Sequence, residues 1–73
     1  MDIIHTAKDL GQLVRESRKA QGLSQDELAG LTGTGRRFIG DLESGKETAQ
    51  LGKVLHVLNT LGISLSTIQK WKA

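Results

Sequence analysis

Four glycines divide the chain, and each stands where a helix is expected to stop. Gly22 is followed by apolar Leu23 and Gly62 by Ile63, while Gly33 and Gly45 close two shorter segments between them. Glycine accepts the left-handed backbone in which many helices end. The first two segments also open on their own signals. Thr6 has Asp9 three residues on, and Ser24 has Glu27, the spacing at which two side chains satisfy the free N–H groups of a helix start. A third segment runs from about Arg36 to Glu43 with Gly35 at its N-cap, and a fourth begins near Thr48. Apolar residues recur at helical spacing inside all four. They are Leu10, Leu13 and Val14, then Leu28, Ala29 and Leu31, then Ile39 and Leu42, and last Leu51, Val54, Leu55, Leu58 and Leu61. The expected architecture is mainly α, one domain over 1–73 with a helical core at 6–62.

After Gly62 the pattern changes. Ile63-Ser64-Leu65-Ser66-Thr67 alternates apolar with polar at period two, which favours a strand. A lone strand is not stable in water, so 63–69 must pair with the Asp2-Ile3-Ile4 stretch or with its copy in a second chain. Trp71 argues against a frayed tail, because it is costly to leave exposed. A dimer also suits the size. Seventy-three residues make a marginal core, and the absence of cysteine removes disulfides and thiolate metal sites. Ile63, Leu65 and Thr67 are the expected dimer-strand residues. No metal or cofactor is expected. No apolar run reaches the roughly 20 residues of a membrane span, and the first residues lack a secretory layout, so a soluble cytoplasmic, nucleoid-associated protein is expected.

The second and third segments form the layout of a helix-turn-helix, in which the second helix enters the DNA major groove by its N-terminal end. An ordinary helical hairpin would share that layout. Charge separates the two. Arg36 and Arg37 open the third helix, where the macrodipole disfavours cations by about 0.3–1 kcal/mol each. Neither helps the helix, and arginine reads guanine O6 and N7 with two parallel hydrogen bonds. Phe38 is either a contact for a thymine methyl or ordinary cover for the turn. Asp41 can orient Arg37, accept from a cytosine amine, or sit in solvent. Gly40 costs roughly 1 kcal/mol in mid-helix, explained by close helix packing or by close approach to DNA. Ser24 and Gln25 at the second helix start, Gly35 at the third, and Lys46 beyond it suit phosphate contacts. Each could equally be an ordinary polar residue facing solvent.

The stretch LSQDELAGLTGTGRRFIGDLESGK, Leu23 to Lys46, resembles the helix-turn-helix of the Cro/C1 (XRE-like) repressors. The likeness lies in Ser24-Gln25, Glu27-Leu28-Ala29, Gly33, Ile39 and Glu43-x-Gly45-Lys46. It implies a lambda-repressor-like bundle of four to five helices, a phosphate contact by Gln25, base reading by the helix at Arg36, and a structural pair between Arg18 and Glu43. Two positions depart from the pattern: Thr32 replaces a usual aliphatic residue and Gly35 a frequent serine cap, so a looser turn is expected. The terminal strand makes the chain similar to the HipB-type antitoxins. That resemblance implies a homodimer with an intersubunit sheet, repression of its own operon at a near-palindromic operator, and a HipA-like kinase toxin as partner.

Two other readings stay open. A stand-alone phage or plasmid repressor would share most of these features. An interaction module without DNA binding fits the modest net charge of +2, although the paired arginines oppose it. Catalysis is not expected: His5 and His56 have no evident acid partners, and the glycines of 33–40 fit neither a dinucleotide fingerprint nor a P-loop.

Overall fold

The structure, a computed structural model, describes residues 3–71. Its four helices are α1 (Ala7–Ala20), α2 (Gln25–Thr32), α3 (Arg36–Glu43) and α4 (Leu51–Thr60). Both expected capping boxes form: Thr6 accepts from the Asp9 N–H while Asp9 accepts from the Thr6 N–H, and Ser24 and Glu27 do the same. Gly22, Gly33, Gly45 and Gly62 all adopt positive φ. After α1 and α4 the chain closes with matching bonds, Leu23 N–H to Arg18 O and Ile63 N–H to Leu58 O.

α1 and α2 both pack on α3, and α4 closes the far side of α2. Val14, Leu28, Ile39, Val57 and Leu58 are fully buried between them. The α1–α3 crossing depends on Gly11, where a Cβ would strike the Leu42 carbonyl and lie 2.7 Å from Glu43 O. Gly45 does the equivalent at the α3–α4 turn: its φ is +88°, and a Cβ there would lie 2.8 Å from Lys8 Cα of α1.

Two expectations about α4 change. The helix starts at Leu51 rather than near Thr48, with Gln50 as an N-cap that makes no side-chain bond. Residues 46–50 cross from α3 to α4, and Ala49 packs against the core on the way. Leu51 and Leu55, expected in the buried stripe, are 68% and 39% exposed, whereas Val57 is buried completely. The helix turns its 54/57/58/61 face inward, which leaves 51 and 55 on its flank.

No strand forms among the described residues. Ile63, expected to start the dimer strand, instead packs against the chain's own core. Leu65, Thr67 and Trp71 are exposed, Trp71 by 84%. Among the described residues nothing forms a ladder with this segment, and period-two patterning alone cannot supply a partner. The segment does come beside the opposite end of the chain: Ile3, Ile4, Leu65 and Ile68 line one apolar recess of about 290 Å³. The Asp2 end of that stretch lies outside the described residues. No helix among them is long and apolar enough to cross a membrane.

Candidate nucleic-acid interface

The turn between α2 and α3 is firmly bonded. Gly33 takes the left-handed conformation, and Thr34 N–H reaches Ala29 O at 3.1 Å. Thr32, at the position expected to loosen the turn, is buried, and its hydroxyl donates to Leu28 O at 2.9 Å or pairs with Thr34 Oγ1 at 2.8 Å. A buried hydroxyl with partners costs little. Gly35 sits extended ahead of α3 and gives no side-chain cap, so the N–H groups of the first turn of α3 point outward without protein acceptors.

On that first turn the arginines face solvent. The Arg37 side chain is 92% exposed, with its Nε 3.9 Å from Asp41 Oδ2. Arg36 lies on the α2 side, its Nε 3.4 Å from Asp26 Oδ1. Asp41 also meets Lys46 Nζ at 3.4 Å. Exposed pairs of this kind contribute little, so a denser anion or a guanine edge can take the cations over. Phe38 lies on the other flank. It is half-buried against the core, and Lys53 Nζ stands 5.7 Å from its ring centroid. Among the two alternatives for Phe38, this position matches cover for the core.

Behind the exposed face, Glu43 joins three elements. Arg18 donates to it twice, Nε at 2.7 Å and Nη2 at 3.0 Å, and sends Nη1 to Leu23 O at 2.7 Å. Gln25 Nε2 donates to the same carboxylate at 3.1 Å. Both side chains of the ion pair are nearly sealed, at 9% and 4% exposure. Burial pushes the Glu43 carboxyl up, but hydrogen bonds from Arg18 and Gln25 and the charges of Arg18 and Arg15 outweigh it. The net effect holds Glu43 below the ordinary carboxylate range. With its amide committed to Glu43, Gln25 keeps its backbone N–H, which has no intrahelical acceptor at the start of α2. Ser24 Oγ accepts from the Glu27 N–H and the Ser24 N–H donates to Glu27 Oε1, which leaves the hydroxyl hydrogen as its donor.

The structure thus gathers Ser24, Gln25, Gly35, Arg36 and Arg37 along one edge formed by the starts of α2 and α3. Asp41 and Lys46 sit at the far end of α3, and Leu65 and Thr67 lie in the terminal segment. Two contributors escaped sequence reading. Gly11 sets the α1–α3 approach, yet nothing in its neighbours marks it. Lys53 is brought to Phe38 only by tertiary packing. The mid-helix Gly40 is resolved in part: a Cβ there would meet only Gln25 Oε1, at an ordinary 3.9 Å, so close helix packing does not explain it.

This arrangement, two short helices joined by a left-handed glycine with an uncapped cationic start to the second, is that of a helix-turn-helix transcription regulator. Residues 11–70 match the family described as "Helix-turn-helix domain". The chain belongs to that family, in its XRE type. It is 62% identical over 65 residues to an HTH-type transcriptional regulator of Sinorhizobium fredii, covering 89% of this chain and 86% of that one. It is 33% identical over 55 residues to the ImmF control region 10 kDa protein of Bacillus phage phi105, covering 71% of this chain and 61% of that one. Among solved structures, a HipB–O4 20mer complex aligns with a TM-score of 0.85 at 21% identity, over 96% of this chain and 99% of that one. The restriction-modification controller protein C.AhdI from Aeromonas hydrophila aligns with a TM-score of 0.71 at 38% identity, over 80% and 84%.

Proposed function

We propose that this DNA-binding regulator is a homodimeric, sequence-specific repressor that acts by binding rather than by catalysis. In this reading it holds a near-palindromic operator and serves as the antitoxin of a HipA/HipB-like module, controlling its own operon. The observation that carries the DNA reading is the first turn of α3, where Arg36 and Arg37 stand 67% and 92% exposed on an uncapped helix start. Arg36, Arg37 and Asp41 are the base-reading positions. Ser24, Gln25, Gly35 and Lys46 hold phosphate, Ser24 through its hydroxyl hydrogen and Gln25 and Gly35 through backbone N–H groups.

The dimer brings two α3 helices about one DNA turn apart, roughly 34–36 Å. The exposed Leu65, Ile68 and Trp71 supply apolar surface for it. The HipA-like kinase partner rests on the similarity to structures that contain HipB, one of them a HipA–HipB–O2–O3 complex. The phage relative favours a second reading, a stand-alone repressor with the same DNA chemistry. Operator binding by wild type and Arg36→Ala tests the core of the proposal: the variant loses sequence discrimination, and unchanged discrimination would remove α3 from the reading role. Co-purification of the chain with the product of an adjacent reading frame separates antitoxin from stand-alone repressor.

A further inference from the structure

We infer that Lys53 is a DNA-phosphate contact, held in place by the ring of Phe38, on the groove wall opposite the one that α2 meets. The inference rests on the DNA-binding reading above and adds a residue from outside the helix-turn-helix itself. Three observations carry it. Lys53 lies in the first turn of α4, exposed, with its ammonium 5.7 Å from the Phe38 ring centroid. Phe38 is the third residue of α3, so the ammonium stands beside the helix end that would enter the groove. Among the described residues Lys53 makes no ion pair, whereas Arg36, Arg37 and Lys46 all have carboxylates near them.

The geometry of α3 gives this position its meaning. At about 100° per residue, Arg36 and Phe38 lie on opposite flanks, with Arg37 between them at the outermost point. Arg36 turns toward α2, as its contact with Asp26 shows. Phe38 turns toward α4. A helix end inserted in the major groove has a phosphate strand on each side. The start of α2 faces one strand, and Lys53 stands on the flank that faces the other. An ammonium over an aromatic face keeps its charge while its direction is restricted. Phe38 is therefore a positioning residue for Lys53, and its ring is occupied by that role.

A phosphate contact is indifferent to sequence, so it leaves its mark on salt dependence. Binding of the full chain to a 30-base-pair duplex of arbitrary sequence, and to a duplex from its own upstream region, is measured by fluorescence anisotropy across a salt series. Lys53→Ala is expected to reduce the slope of log K against log salt by about 0.9 per protomer, and to weaken both duplexes about tenfold per protomer near 0.1 M salt. Lys53→Arg retains the wild-type slope. Phe38→Leu, which keeps the packing and removes the ring, weakens both duplexes in the same direction but less. A Lys53→Ala slope equal to wild type, or a loss confined to the upstream duplex, overturns the assignment of Lys53 alone. Wild-type protein that binds neither duplex overturns the DNA reading and this inference together.

Discussion

Two glycines inside helices, Gly11 and Gly40, should respond to the same substitution with opposite sign. At Gly11 an alanine Cβ would strike the Leu42 carbonyl and lie 2.7 Å and 2.9 Å from Glu43 O and C. All three atoms are backbone of α3, so no side chain can rotate away, and α1 must lift from α3 at the crossing. Overpacking of this kind costs about 1–3 kcal/mol or more, while alanine returns about 1 kcal/mol of helix propensity. The lift also stretches the Arg18–Glu43 pair, which spans the same two helices, so a net loss of about 2 kcal/mol is expected. At Gly40 the new Cβ meets only Gln25 Oε1 at 3.9 Å, and the propensity gain of about 1 kcal/mol remains. For a domain of this size, 1 kcal/mol moves Tm by about 4–8 °C. Thermal unfolding followed by circular dichroism at one fixed chain concentration should show Gly11→Ala about 10 °C below wild type and Gly40→Ala about 5 °C above it. A Gly11→Ala variant as stable as wild type, or a Gly40→Ala variant that melts lower, would refute the packing account of the α1–α3 crossing and of α3.

Removing one member of the sealed pair should be more severe: Arg18→Ala leaves Glu43 charged and buried, at a cost of about 3–5 kcal/mol, read as a loss of most of the unfolding free energy in urea. The pH response follows from the same carboxylate. Because the folded state holds Glu43 below its ordinary value of 4.5, its contribution is complete above that value and is lost as pH falls through the depressed one. Asp9 and Glu27, lowered chiefly by backbone hydrogen bonds with His5 and Ser24 respectively, act in the same direction. Glu43→Gln should therefore flatten the acid limb of a stability–pH curve, and an unchanged limb would contradict it. Truncation is best placed after Ile63, which packs against the core. A chain ending there should keep its helical spectrum and sediment as a monomer where the proposed dimer forms in the full chain, and a truncated chain that still sediments as a dimer would reject the terminal segment as the joint.

What the sequence revealed divides by the range of the forces involved. The boxes at Thr6/Asp9 and Ser24/Glu27 and the stops at Gly22, Gly33, Gly45 and Gly62 are local devices, and each appears in the structure where its residues stand. α4 starts at Leu51 rather than near Thr48, and the residues before it include Gly45 close against Lys8 of α1 and Ala49 on the core, contacts that no local pattern encodes. The outward turn of Leu51 and Leu55 has the same origin: five leucine and valine positions made a stripe, but the neighbours available decided which part of it was buried. Gly11 and Gly40 look alike in sequence, and only the distance to α3 tells them apart. The alternation in 63–67 is real, but a strand is a property of two segments, and among the described residues no second segment forms a ladder with it. For the candidate interface, Arg36 and Arg37 stand out in the sequence because an isolated helix disfavours them at its start, and both are exposed in the structure. Lys53 carries no such signal.

The Glu43 carboxylate has a mechanical consequence. Arg18 on α1, Gln25 on α2 and, through Arg18, the carbonyl of Leu23 are all tied to one side chain of α3. Three helices and the turn between two of them are thereby locked into a single stiff body, and the angle between α2 and α3 is not an adjustable joint. Such a body works as a template. Any mismatch between its spacing and a given stretch of double helix must be absorbed by bending or twisting the DNA, or, in the proposed dimer, by the joint between protomers. Base pairs lying between two half-sites and touching no side chain would then influence affinity through their stiffness alone.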